Sequence, residues 1–207
     1  MGIWAEHVVP RIVEKSCGMK EIGPFRDEAC AGLTGRVLEI GFGSGHNVDH
    51  YPAGVTTVAA VEPSDTGWRL SERRRERSRV PIERSGLDGQ ALDAADASFD
   101  SALSTFSLCT IPDPVRALRE VHRVLRPGTS LHFVEHGLAP DERVRRWQRR
   151  LEPVQRRVAD GCHLTRDIPA LVAEAGFTVT ELHAEYLPGP APSRPFGYVY
   201  VGRADRE

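Results

Sequence analysis

The feature that most constrains this chain is the run Val37-Leu38-Glu39-Ile40, which leads straight into Gly41-Phe42-Gly43-Ser44-Gly45. A short apolar run closed by alternating glycines reads as a buried parallel strand entering a tight turn. Glycine there lets the backbone bend sharply and lets a ligand approach without meeting a side chain. A second run, Val58-Ala59-Ala60-Val61, stops at Glu62-Pro63-Ser64, and the interval holds one short helix, so the two runs form a βαβ unit. The alternation continues with an arginine-rich helix after Ser64, an edge strand near Val80-Pro81-Ile82-Glu83, and a buried strand from Phe99 to Ser104. Asp113-Pro114 predicts a capped helix start. Val115, Leu118, Val121, Val124 and Leu125 stripe one face until Arg126-Pro127-Gly128 ends the helix. Strands at Leu131 to Val134, Phe177 to Thr180 and Tyr198 to Val201, with a helix through Ile168, Leu171, Val172 and Ala175 stopped by Gly176, complete the pattern.

This order predicts an α/β fold: a doubly wound, Rossmann-like, seven-stranded and mostly parallel sheet with helices on both faces, binding its ligand at the carboxyl ends of the strands. Residues 1–34 read as an N-terminal helical cover, with Trp4, Val8 and Ile12 on one face, and residues 35–207 as the binding domain, the whole forming one compact unit.

The glycine spacing narrows the ligand. A dinucleotide fingerprint needs its third glycine at position 46, which is His46, so an NAD(P)-dependent oxidoreductase is disfavoured. The lysine and hydroxyl pair of a phosphate-binding loop is missing as well. The pattern is instead Glu39-x-Gly41-x-Gly43-x-Gly45, and it resembles the first motif of the class I S-adenosylmethionine-dependent methyltransferases of the type 11, UbiE-like kind. Leu118-Arg119-Glu120-Val121-His122-Arg123-Val124-Leu125-Arg126-Pro127-Gly128 is similar to a later helix and turn of that family, with Thr129 in place of a second glycine.

The resemblance implies S-adenosyl-L-methionine as cofactor and assigns roles along the chain. Glu39, Gly41, Gly43 and Gly45 form the cofactor loop, Glu62 accepts the ribose hydroxyls, and Pro63 lies near the adenine. Asp88 receives the adenine amine, Gly89 offers its backbone N–H to the ring, and Thr105 and Phe106 border the cofactor. A carboxylate suits a vicinal diol because one ionised group accepts two hydrogen bonds. A regulator that kept the fold and lost turnover is the alternative of a different class. Phe133-Val134-Glu135-His136 and Asp160-Gly161-Cys162-His163-Leu164-Thr165-Arg166 resemble the branch that contains the animal thiol methyltransferases.

Methyl transfer from a sulfonium to a small-molecule acceptor is an in-line displacement that positioning alone accelerates. A base becomes useful when the acceptor carries a proton, and His136 and His163 are the candidates, His136 first. Cys109 is expected to line the pocket and Cys162 to be packed; the N-terminal segment and residues 136–166 are expected to enclose the acceptor.

Charge and cysteine usage bound the rest. The chain has 27 Lys and Arg against 29 Asp and Glu, a balance that gives nucleic acid no reason to bind. The arginine-rich stretches from Arg69 to Arg79 and from Arg143 to Arg157 read as solvated helix faces. Val144, Trp147, Leu151, Val154 and Val158 stripe the second one as a cover for the pocket. Cys17, Cys30, Cys109 and Cys162 form no Cys-x-x-Cys pair, so neither metal nor disulfide is expected. Glu6, Arg11, Glu14, Lys15 and Lys20 rule out an apolar leader or span in the first twenty residues, leaving a cytoplasmic protein as the expectation.

Overall fold

The computed structural model describes residues 8–159 and 161–207; Trp4 and Asp160 lie outside them. Seven strands form one sheet: β1 (Gly35–Ile40), β2 (Val55–Val61), β3 (Ile82–Gly86), β4 (Phe99–Thr105), β5 (Leu125–His136), β6 (Thr178–Tyr186) and β7 (Tyr198–Asp205). Their order across the sheet is β3-β2-β1-β4-β5-β7-β6. β7 runs antiparallel to both β5 and β6, and the other pairings are parallel. The order reverses between β1 and β4, which is where an open α/β sheet binds ligands. Ile40 pairs with Val61 on one side and Ser104 on the other, so β1, β2 and β4 end level.

Both faces of the sheet are covered, which explains why the central strands read as continuous apolar runs. On one face Leu38, Ile40, Phe99 and Phe133 pack against α5 (Pro114–Val124) and α7 (Ile168–Glu174); on the other Val37, Leu103, Val134 and Val199 pack against α2 (Gly23–Cys30). The start of α5 follows from its cap: the Asp113 carboxylate accepts from the Arg116 N–H at 3.0 Å, and Pro114 occupies the first turn; the helix ends at Val124, and Leu125 to Gly128, expected to finish it, open β5 instead. Leu118, Val121 and Val124 on its inner face are fully buried, each contributing about 1.5–3 kcal/mol by leaving water.

Two helices depart from their sequence patterns. α1 (Val9–Cys17) buries Val9, while Ile12 of the expected apolar face is 50% exposed. In α6 (Glu142–Val158) Trp147, Val154 and Val158 point outward, and Gln148 is buried instead. The reason is polar. The loop after β5 presents backbone groups that need partners, and the Gln148 side chain accepts from the Ala139 N–H at 3.0 Å and donates to the Gly137 and Pro195 carbonyls at 2.9 and 3.2 Å. An inward apolar stripe would leave those groups unpaired. Among the described residues no helix is long and apolar enough to cross a membrane.

Candidate active site

The glycine loop follows β1 directly. Gly41, Gly43 and Gly45 all take positive φ, 70°, 57° and 78°, a region that side chains other than glycine adopt at a cost. A Cβ on Gly41 would lie 1.8 Å from the Ser107 hydroxyl, so the loop after β1 and the loop after β4 are in contact there. A Cβ on Gly43 would meet nothing closer than 3.9 Å, which leaves this stretch of backbone bare towards open space. Glu62, at the end of β2, is buried beside it. Its carboxylate accepts from the Gly43 N–H at 2.6 Å and the Ser64 N–H at 2.7 Å. Burial raises the Glu62 pKa, and the two backbone amides oppose that rise. Pro63, next in sequence, is exposed.

Asp88 is exposed two residues beyond β3 and accepts from the Gln90 N–H at 2.9 Å and its amide at 3.0 Å. Gly89 packs within reach of Ile40, Ile111 and Ala117, which brings this turn beside the end of β1.

Glu39 is fully buried. It accepts from the Asn47 amide at 2.9 Å and the Tyr51 hydroxyl at 2.5 Å. Desolvation pushes it up to about 7, against the pull of those two hydrogen bonds and of Arg26. Arg26 of α2 is buried as well, donating to Asn47 at 2.6 Å, Thr105 at 3.2 Å and the Cys17 carbonyl at 3.1 Å. Thr105 also accepts from Asn47 at 2.9 Å. This network ties α2 to the ends of β1 and β4. Phe106 follows at φ 52°, held by its N–H to the Val134 carbonyl at 2.8 Å, with the Arg26 guanidinium 5.7 Å from its ring.

His46 docks α1. Its Nε2 lies 3.1 Å from the Glu14 carbonyl and from the Glu14 carboxylate, which also pairs with Arg74 at 2.9 Å; Arg74 in turn donates to the Ser44 carbonyl at 3.0 Å. The position where a dinucleotide fingerprint needs glycine is thus occupied by the side chain that seats α1 on the glycine loop.

The neighbouring edge, at the ends of β4 and β5, is built differently. Glu135 is fully buried, and one of its oxygens accepts from the Ser104 hydroxyl at 2.8 Å and from the Ser107 and Leu108 N–H groups at 2.9 and 3.1 Å. His136 ends β5 with Nε2 2.9 Å from the Cys162 sulfur, while its Nδ1 is enclosed without a partner among the described residues. The Cys162 and Cys109 sulfurs lie 3.7 Å apart. His163 is half-buried: its N–H donates to the Cys109 carbonyl at 2.8 Å, and its Nδ1 faces the Glu152 carboxylate at 3.1 Å. Glu152 also accepts from the Thr165 N–H at 2.9 Å and from the Thr165 hydroxyl. Arg166 donates to the Leu108 and Ile111 carbonyls, clamping the loop after β4.

Comparison with known proteins decides the family. Residues 38–133 match the family described as Methyltransferase domain. The thiol S-methyltransferase TMT1B of Rattus norvegicus is 35% identical over 172 residues, covering 81% of this chain and 69% of the relative; the Homo sapiens protein of the same name is 35% identical over 181 residues, covering 84% and 72%. This chain belongs to the S-adenosylmethionine-dependent methyltransferases. The fold agrees: a methyltransferase of that cofactor dependence from Mesorhizobium loti superposes with TM-score 0.64 at 19% identity, covering 90% of this chain and 98% of the other.

The residues of the methyltransferase fit S-adenosylmethionine. Bare backbone at Gly43 and a buried carboxylate at Glu62 stand side by side, and two accepted N–H bonds leave that carboxylate with lone pairs for a ribose. The sequence reading missed Arg26, Asn47 and Tyr51, which no local motif marks, and Glu152, whose link to His163 spans 11 residues. Glu135 stood inside a motif already singled out, and a carboxylate on a fully buried strand was the available signal.

Proposed function

We propose that this methyltransferase alkylates the sulfur of a small thiol, with His163 as the proton acceptor. The observation that carries the reading is the pairing of His163 with Glu152. A carboxylate on Nδ1 orients the imidazole and leaves Nε2 for an acceptor's proton. His136, the first candidate from sequence, has Nε2 against Cys162 and Nδ1 enclosed, so it serves this role less well. The names of the curated relatives support a thiol as acceptor. When bound, S-adenosylmethionine supplies an activated methyl group.

In this reading Gly41, Gly43 and Gly45 admit the cofactor, Glu62 takes its ribose hydroxyls, and Pro63, Asp88 and Gly89 border the adenine. Thr105 and Phe106 line its other side, and Glu39 supports the loop from behind through Asn47 and Tyr51. The helical cover reaches the site through Glu14 and Arg26. Four free thiols, two of them 3.7 Å apart, suit a reducing compartment such as the cytoplasm.

The test is transfer of labelled methyl from S-adenosylmethionine to an alkyl thiol, a phenol and a primary amine in parallel. We expect label on the thiol, with kcat reduced at least ~100-fold in His163→Gln at unchanged S-adenosylhomocysteine affinity. Label on the phenol or amine alone overturns the reading.

A further inference from the structure

Cys109, His136 and Cys162 come from three separate places: the loop after β4, the end of β5 and the loop after α6. The fold gathers one ligand atom from each within 4.8 Å of the others. Both cysteines are buried and the histidine half-buried. We propose that these three side chains form a binding site for a thiophilic divalent cation of the zinc class, through two thiolate sulfurs and one imidazole nitrogen. This goes beyond the methyltransferase reading and does not depend on which acceptor is used.

The spacing supports it. Tetrahedral zinc, with bonds of about 2.3 Å to sulfur and about 2.0–2.1 Å to nitrogen, holds two sulfurs about 3.8 Å apart and a sulfur and a nitrogen about 3.6 Å apart. The two sulfurs already stand at 3.7 Å. His136 Nε2 stands 2.9 Å from Cys162, roughly 0.7 Å short of that spacing, and lies within 4.8 Å of the Cys109 sulfur. Donor chemistry selects the ion. Two sulfurs and one imidazole, with no carboxylate among them, suit a soft or borderline cation and not magnesium or calcium.

Charge and rigidity point the same way. A divalent cation with two thiolates and a neutral imidazole is a neutral unit, which burial tolerates where a lone charge is costly. Two protons leave on binding, whether the free site holds two thiols and a neutral ring or one thiol beside a thiolate and imidazolium pair; no oxidant is needed. Arg166 and Glu135 hold the loop that carries Cys109, and the His163 N–H bond to the Cys109 carbonyl ties it to Cys162's own loop. Three protein ligands leave a fourth position open, as in catalytic zinc sites.

The experiment is a Co²⁺ titration of the full reduced chain, followed by thiolate-to-cobalt charge-transfer absorption, with Zn²⁺ displacement and proton release in weak buffer. We expect one ion per chain, two protons released, and affinity weakened at least ~100-fold in Cys109→Ala/Cys162→Ala and in His136→Gln. Melting temperature and S-adenosylhomocysteine binding identify which variants are folded. The proposal is overturned if the reduced chain gives no charge-transfer band at excess Co²⁺, if either folded variant binds as tightly as the parent, or if the two thiols form a disulfide and, once reduced, take up no metal. Because S-adenosylhomocysteine binding is read separately, the cofactor assignment and the metal site fail independently.

Discussion

The glycine loop with Glu62 and the Cys109, His136, His163 and Cys162 cluster occupy adjacent stretches along the carboxyl ends of the central strands, yet they are held in different ways. On the β1–β2 side the Glu62 carboxylate is held by backbone N–H groups no more than 19 residues away, while side chains of Glu14, Arg26 and Arg74 brace the loop from further along the chain. On the β4–β5 side the contacts join side chains on loops 26 and 53 residues apart, and Glu135, Glu152 and Arg166 brace them from outside. The Glu62 contacts are a property of two strand ends and a turn. The cluster exists only after α6 and the loop behind it have docked. The proposed cofactor and acceptor roles are therefore separable by substitution, and the following experiments test that separation.

The largest effect falls on Glu62→Ala. It removes a buried acceptor of two backbone N–H groups and the group assigned to the ribose, so S-adenosylhomocysteine affinity in calorimetry should fall at least ~100-fold, or about 3 kcal/mol. Unchanged affinity removes Glu62 from the cofactor site. On the other half, Glu152→Gln keeps the size of the side chain but weakens its grip on His163 and Thr165. We expect kcat for methyl transfer to fall about 10–100-fold, with Glu152→Asp recovering part of it and cofactor affinity unchanged. An equal loss of cofactor affinity would show that the two halves form one unit.

How much of this was legible in the sequence follows the same division. The alternation of strands and helices, the glycine loop and the place of Glu62 at a strand end were readable because each rests on neighbours in the chain: an apolar run, a turn requirement, a carboxylate at a strand end. The α5 start was readable because Asp113 and Pro114 act on their own helix, while its end came earlier than expected, with Leu125 already in β5. The Cys109, His136 and Cys162 cluster was not, and no metal was expected, because scattered residues carry no spacing that reveals a meeting made by tertiary packing. The α6 stripe misled because apolar periodicity describes what a helix offers; the unpaired backbone of the loop after β5 decided which face was taken, and it took Gln148.

The smallest effect is one of pH and belongs to the cofactor half. Glu39 titrates near 7 when folded against 4.5 for the ordinary side chain, so between those values the folded state binds more protons than the unfolded one. Its contribution to stability is complete below the unfolded value and is lost as pH rises through the folded one. Urea unfolding from about pH 5 to pH 7.5 should show a loss of about 1–3 kcal/mol that flattens in Glu39→Gln and persists in Glu152→Gln. Parallel slopes in parent and Glu39→Gln would place the burden elsewhere.

The way Gln148 holds α6 has a consequence for how such a chain changes over generations. Among the described residues of that helix it is the one buried position, and its three partners are main-chain groups at Gly137, Ala139 and Pro195. Main-chain partners do not depend on which residues the outer face of α6 carries, although Gly137 itself has no room for a side chain, a Cβ there lying 2.4 Å from the Arg166 carbonyl oxygen. The helix that bears Glu152 can therefore exchange nearly all of its outer residues without losing its seat, whereas the loop after β1, crowded between Gly41 and Ser107, has no such freedom.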